Sequence, residues 1–258
     1  RLGDVPFTPD GLLALAFSEA LLRVLEGTVF HDSIRSALSK VRAGLGPELG
    51  AYLNRLTDSF RVLPGPHKRY EQFSDTIRLL NESVLSQTTV SIQYRTARSG
   101  HESTRDYDPY RVWYRSGGLY VVGHDHQSGE IRTFAIDRIL AISSTSQPFE
   151  IDRSFDFELF IESAFGVISE TPVLVRIRFN ASWRTHVLEH NWHPSQKTAE
   201  LEDGGVELTM EVGGSAELRN WVMSFGAGAE VFEPAALRDD VIAELRATSA
   251  RYSQNPPG

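Results

Sequence analysis

Hydrophobic residues in the first third of the chain recur at helical spacing. Between residues 9 and 26, Leu12, Leu13, Leu15, Ala16, Phe17, Leu21, Leu22 and Leu25 follow Pro9 and stop at Gly27, which predicts a buried helix with apolar residues around most of its girth. A second helix is predicted over residues 32–43 from Ile34, Ala37, Leu38 and Val41, and a third opens at Pro47-Glu48 with Leu49, Tyr52, Leu53 and Leu56. Leu63-Pro64-Gly65-Pro66 interrupts the pattern, and residues 70–86 resume it with Phe73, Ile77, Leu80 and Val84. At Thr88 the period falls to two, because Val90, Ile92 and Tyr94 alternate with Thr89, Ser91 and Gln93. Short strands are predicted at 111–115, 119–124, 131–136 and 139–143, with Ser116-Gly117-Gly118 and Gln127-Ser128-Gly129 as hairpin turns. Five short antiparallel strands in so short a stretch predict a small, strongly bent barrel.

After a linker with short helical content, Pro172 starts a last unit in which Val173, Val175, Ile177 and Phe179 alternate with Leu174, Arg176, Arg178 and Asn180. A helix around 183–190, a hairpin of 198–201 and 206–212 across Asp203-Gly204-Gly205, a helix over 215–225, a strand at 229–232 and a helix over 234–252 follow. The order β-α-β-β-α-β predicts a ferredoxin-like unit with an extra terminal helix. The reading is thus α+β: a helical connector over 1–87, a five-stranded barrel over 88–150, a linker over 151–171 and a ferredoxin-like domain over 172–258.

Composition narrows the chemistry. The 258 residues include no cysteine, which removes disulfides, thiolate zinc sites, iron–sulfur clusters and thiol catalysis and fits a reducing cytoplasm. No apolar stretch reaches the length of a membrane span, and no secretory leader is visible. Twenty-three of the 26 basic residues are arginine, the lysines being Lys40, Lys68 and Lys197. The net charge of -8 is uneven: residues 1–94 hold ten basic and ten acidic residues, residues 95–138 seven and six, and residues 139–258 nine and 18. A chain of that charge is poorly suited to gripping duplex DNA, whose affinity rests on neutralised phosphates, although a local arginine pocket is compatible with it.

The densest signal runs Pro109-Tyr110-Arg111-Val112-Trp113-Tyr114-Arg115-Ser116-Gly117-Gly118-Leu119-Tyr120-Val121-Val122-Gly123, then Arg132-Thr133-Phe134-Ala135-Ile136-Asp137-Arg138-Ile139. These residues resemble the WYL domain, an Sm-like or SH3-like barrel of bacterial transcription regulators. The naming triplet stands here as Leu119-Tyr120-Val121, with the tyrosine kept and the tryptophan replaced. Asn191-Trp192-His193-Pro194-Ser195-Gln196 and Phe225-Gly226-Ala227-Gly228-Ala229-Glu230-Val231-Phe232-Glu233-Pro234 resemble the C-terminal extension (WCX) of the same regulators. The helical first third resembles the connector that follows a winged helix-turn-helix, expected to precede Arg1.

The resemblance implies a sensor of nucleic-acid-like ligands that uses Tyr120, Arg132 and Arg138. Local geometry adds Arg111, Trp113, Arg115, His124 and His126, since aromatics stack on bases while arginines and histidines meet phosphates and edges. Taken singly, each arginine reads first as a surface ion pair with Asp106, Asp108, Asp125, Glu130 or Asp137. Tyr94 and Phe134 read as core. His186, His190 and His193 lack a zinc-helix order and read as structural or ligand-gating rather than metal-binding, and no cofactor is expected. The glycine pairs lack a phosphate-loop Lys-Ser/Thr, and neither a nucleophile elbow nor a placed carboxylate pair occurs, so no enzyme is expected. The reading is a cytoplasmic effector-sensing and dimerising region. It would bind short single-stranded DNA from DNA damage, and duplex DNA would be gripped by the N-terminal domain. The alternatives are a mononucleotide or cyclic-nucleotide sensor guarding an anti-phage operon, and a ligand-free module contacting a protein such as RNA polymerase.

Overall fold

The structure, a computed structural model, describes residues 8–45, 47–59, 62–63, 66–97, 99–167 and 170–254. The side chains of Leu53 and Leu56, together with Arg1, Gly46, Pro64 and Gly65, lie outside the described residues. The chain divides into two units, Arg1–Ile151 and Asp152–Gly258, each with one antiparallel sheet and packed helices, an α+β architecture.

The first unit opens with α1 (Pro9–Leu21), a 3-10 turn (Leu22–Leu25), α2 (Val29–Gly44) and α3 (Pro47–Ser59). Thr28 caps α2 by accepting a hydrogen bond from the His31 N–H. The first helix is less buried than its composition suggests: Leu12 and Ala16 pack with Val41 and Leu45, whereas Phe17 and Leu21 are exposed. A 3-10 turn (Glu71–Phe73) leads into α4 (Ser74–Ser86), which lies against the sheet.

That sheet comprises β1 (Thr88–Arg95), β2 (Glu102–Arg115), β3 (Gly118–Asp125), β4 (Glu130–Ala135) and β5 (Ile139–Pro148), in the order β4-β3-β2-β1-β5. Three boundaries differ from the periodicity, one of them the end of β5, which runs to Pro148 and not to 143. The second strand begins at Glu102, nine residues before the predicted start at 111, because the polar run 102–106 and Pro109 hide its alternation. Ile136 leaves β4 for a 3-10 turn (Ile136–Arg138). Pro109 sits where β2 shifts register: Pro109 pairs with Gly123 and Arg111 with Val122, so Tyr110 is one extra residue on β2. Such a bulge suits a residue that cannot donate to the ladder. A Cβ on Gly123 would lie 2.0 Å from the Asp108 carbonyl oxygen, so the approach of β2 at this point requires glycine.

Tyr70, Ile77 and Leu80 belong to the same buried core as Val90, Ile92, Tyr94, Tyr107, Leu119, Val121, Phe134, Ile136 and Ile139. The segment before the sheet therefore contributes to the sheet's own interior. The Tyr70 hydroxyl accepts a hydrogen bond from the Leu119 N–H, and Lys68 N–H donates to the Gly117 carbonyl, 3.1 Å away.

In the second unit, α5 (Phe157–Glu162) precedes β6 (Val173–Phe179), α6 (Arg184–Leu188), β7 (Lys197–Glu200), β8 (Val206–Val212), α7 (Ser215–Met223), β9 (Ala229–Glu233) and α8 (Ala235–Gln254). The sheet order is β7-β8-β6-β9 with every pair antiparallel. The helix predicted over 183–190 is confined to Arg184–Leu188. The inward residues Val175, Ile177, Phe179, Val206, Leu208, Met210 and Val212 form its core with Leu218, Val222 and Phe225.

Burial pushes the Tyr70 hydroxyl up to about 12, against the opposing pull of the Leu119 N–H. The fold thus favours the neutral phenol. Its contribution is complete below the ordinary tyrosine value near 10 and is lost as pH rises through 12. Urea unfolding from pH 9 to 12 is expected to show about 2–3 kcal/mol of this loss in the native chain and correspondingly less in Tyr70→Phe. At neutral pH the same variant should be weaker by about 1–3 kcal/mol, because the buried Leu119 N–H loses its acceptor.

Candidate nucleic-acid interface and its ion-paired rim

The β2–β3 register decides which side chains meet. Trp113 pairs directly with Tyr120, Arg111 with Val122 and Arg115 with Gly118, so these residues share one face of the sheet. The Trp113 and Tyr120 rings lie 5.7 Å apart between centroids, at 45°. Lys68 joins them from outside the sheet, its ammonium 5.7 Å from the Tyr120 ring centre and 2.6 Å from Asp137. Asp137 thus pairs with Lys68. Arg138 ends the 3-10 turn and is half-buried.

Further along the same face, His124 pairs with Asp108, and His126 follows in the turn. The Asp108 Oδ2 lies 2.9 Å from His126 Nε2 and 3.7 Å from His124 Nδ1.

Arg132 is not part of this group. It pairs with Gly123 on β3, and Gly123, Val121 and Asp125 point to the opposite face. There Asp125 is wholly buried and its carboxylate accepts from Arg105 Nη1 (3.0 Å), Ser128 Oγ (2.9 Å) and Gln127 N–H (3.3 Å). Arg132 stands at the edge of this cluster, 4.0 Å from Asp125 through Nε and 3.0 Å from Glu130 through Nη2. Arg105 also covers the Phe134 ring at 5.1 Å. Beneath it, burial drives the Tyr107 hydroxyl well above its ordinary range, and its oxygen lies 2.8 Å from the Arg132 carbonyl. The motif arginine and the motif tyrosine therefore occupy different faces of one sheet. Period-two alternation along β4 and the register together carry that information, and neither is visible in the motif taken as a string.

Lys68, Arg105, Asp125 and Thr89 escaped the sequence reading as site residues. The only available signal for Arg105 and Asp125 was their phase with the inward residues Tyr107 and Val121. In the second unit, His193 is buried, with Nδ1 2.8 Å from Ser195 Oγ and Nε2 2.7 Å from the Glu162 carbonyl, and so serves the fold. The exposed ring of His190 stacks on Trp192 at 4.9 Å.

Asp125→Asn removes the buried acid that faces both arginines and takes from Arg105, whose side chain is 13% exposed, the carboxylate it pairs with. It is expected to cost about 3 kcal/mol or more in urea unfolding. Arg132→Ala, at a half-exposed pair, should cost below about 1 kcal/mol.

Comparison with known proteins agrees with the domain order. Residues 75–144 match the WYL domain and residues 171–249 the WCX domain. PafB of Mycobacterium leprae (strain TN) is 27% identical over 250 residues, spanning 95% of this chain and 72% of that protein. PafC of the same organism is 24% identical over 234 residues, spanning 89% and 67%. Among solved structures, a CRISPR Cas-related protein shares the fold at a TM-score of 0.53 and 10% identity, covering all of this chain and 89% of the other. Proteasome accessory factor B/C of Arthrobacter aurescens aligns with 96% of this chain at 19% identity and a TM-score of 0.37, and this chain spans only 37% of its length. The chain belongs to the WYL-domain regulators, with a WYL domain at residues 75–144 followed by a WCX domain at residues 171–249.

Proposed function

We propose that this chain is the effector-sensing region of a transcription regulator and that its ligand is short single-stranded DNA of the kind DNA damage releases. The observation that carries the reading is the Tyr120–Trp113 pair flanked on its own face by Arg111, Arg115 and Lys68. Aromatic faces accept any base by stacking, and the cations beside them meet the backbone, so binding on such a face is tolerant of sequence and sensitive to salt. In this reading the five-stranded sheet is an Sm/SH3-like barrel. The second unit is ferredoxin-like, supported by a strand order that places its first and third strands at the centre. Two copies would dimerise, and the ligand would act by binding one arrangement of their DNA-reading domains more tightly than the other. Arg132 contributes to the rim rather than to the stacking face, since it pairs with Gly123 and points to the opposite side of the sheet.

Fluorescence polarisation with labelled oligothymidylate tests this. Tyr120→Ala or Trp113→Ala should weaken binding at least about fivefold, in line with the loss of one stacked base, while Arg132→Ala should change it by less than about threefold. Affinity should fall steeply between low and physiological salt. Absence of binding, or an Arg132→Ala loss as large as that of Tyr120→Ala, would reject this placement. A mononucleotide that competes at equal concentration would redirect the reading to a nucleotide sensor.

A further inference from the structure

Among the described residues, one group combines histidine and carboxylate donors closely enough to hold a metal ion: Asp108, His124 and His126, whose ligand atoms all lie within 4.8 Å of one another. We propose that these three residues form a binding site for a divalent first-row transition cation, with zinc the expected occupant. The inference stands apart from the nucleic-acid reading.

The geometry carries the argument. A tetrahedral zinc ion with nitrogen and oxygen ligands at about 2.0–2.1 Å sets its ligand atoms about 3.3 Å apart. The Asp108 Oδ2 lies 2.9 Å from His126 Nε2 and 3.7 Å from His124 Nδ1, distances that bracket that edge. Small rotations of two half-exposed rings would equalise them, because the His124 and His126 side chains are 36% and 40% exposed. That same exposure leaves the remaining coordination position open to water.

The carboxylate is held in advance. Asp108 is nearly buried, and its Oδ1 accepts a 2.6 Å hydrogen bond from Thr89 Oγ1, itself 2% exposed, so that Oδ2 is the oxygen left for the histidines. An outer partner that orients a liganding carboxylate is the arrangement metal sites depend on. The backbone supports the histidines as well. His124 is the direct cross-strand partner of Asp108, and the His126 N–H donates to the Asp106 carbonyl at 3.1 Å. Gly123 permits β2 to come this close. Nitrogen and oxygen donors without sulfur suit zinc, nickel, cobalt or copper over calcium and magnesium, which prefer oxygen. The signal in sequence was His124-Asp125-His126, a spacing that sends two histidines to one side of a strand end while Asp125 turns inward.

Isothermal titration of the untagged full chain with zinc chloride, alongside the absorption spectrum of the cobalt(II) complex, tests the proposal. One equivalent of zinc should bind at micromolar affinity or better, and cobalt should give the visible bands of a low-coordinate nitrogen–oxygen site. His126→Ala, whose ring is partly exposed, should weaken binding at least about tenfold. His190→Ala, in the other exposed histidine cluster, should leave it unchanged. Circular dichroism of each variant establishes that it is folded, and His124→Ala provides the same reading should His126→Ala misfold. No zinc binding, or binding lost with His190→Ala and retained in both His124→Ala and His126→Ala, would overturn the site.

Discussion

The single extra residue on β2 at Tyr110 governs the chemistry of the first unit. In a regular ladder, residues an odd number apart face opposite ways, so Asp108 and Arg111 would be divided between the two sides of the sheet. Because Pro109 pairs with Gly123 and Arg111 with Val122, the phase is reset, and Asp108, Arg111, Trp113 and Arg115 come to one face with His124, Val122 and Tyr120. Proline supplies a residue that lacks an N–H, and Gly123 supplies room for the strand to swing inward. The side chain of the inserted residue is not wasted: Tyr110 is buried, with its ring 5.8 Å from Phe149.

The same alternation forces a charged cluster into the interior edge. Asp125 sits between His124 and His126 in sequence and turns to the opposite side, where it is fully buried. A carboxylate there is tenable only because Arg105, Ser128 and the Gln127 N–H satisfy it, with Arg132 at the margin. Register and alternation thus put Arg105 and Arg132 on the face of the buried acid and off the face of Tyr120 and Trp113. Arg111 and Arg115 lie on the aromatic side.

Much of the architecture was legible in the sequence because its signals are local. Among the described residues, helical and strand periods located seven of the eight α-helices and the nine strands to within a few residues in most cases, and glycine-rich turns marked the hairpins. The start of β2 was hidden because Glu102-Ser103-Thr104-Arg105-Asp106 carries no apolar alternation, its inward members being an ion-paired arginine and a serine. The site was legible only in part. Tyr120 and Trp113 were singled out one at a time as candidates, and their pairing follows from register. Lys68 is 52 positions away from Tyr120 along the chain and reaches it only because Tyr70 is anchored in the core, a long-range contact that no window of sequence contains. Thr89 and Asp108 likewise became meaningful only once β1 and β2 were placed side by side.

The histidine cluster and the aromatic pair share a face, which raises the question of whether one serves the other. His124 is four residues from Tyr120 along β3, a separation of about 13 Å at the usual strand rise. In water, a divalent cation at that distance attracts a single phosphate charge by about 0.6 kcal/mol before screening. Physiological salt screens over about 8 Å and reduces this further. Electrostatics alone therefore couples the two sites by well under a factor of three, too little for a metal ion to act as an obligatory clamp on a strand held at Tyr120. A cation at Asp108 acts first on its own surroundings: it ties β2 to the turn after β3 and fixes two histidines that otherwise lean on one carboxylate oxygen. Its natural role on this sheet is to stiffen the end of the face, with the stacking chemistry left to the residues on the far side of the bulge.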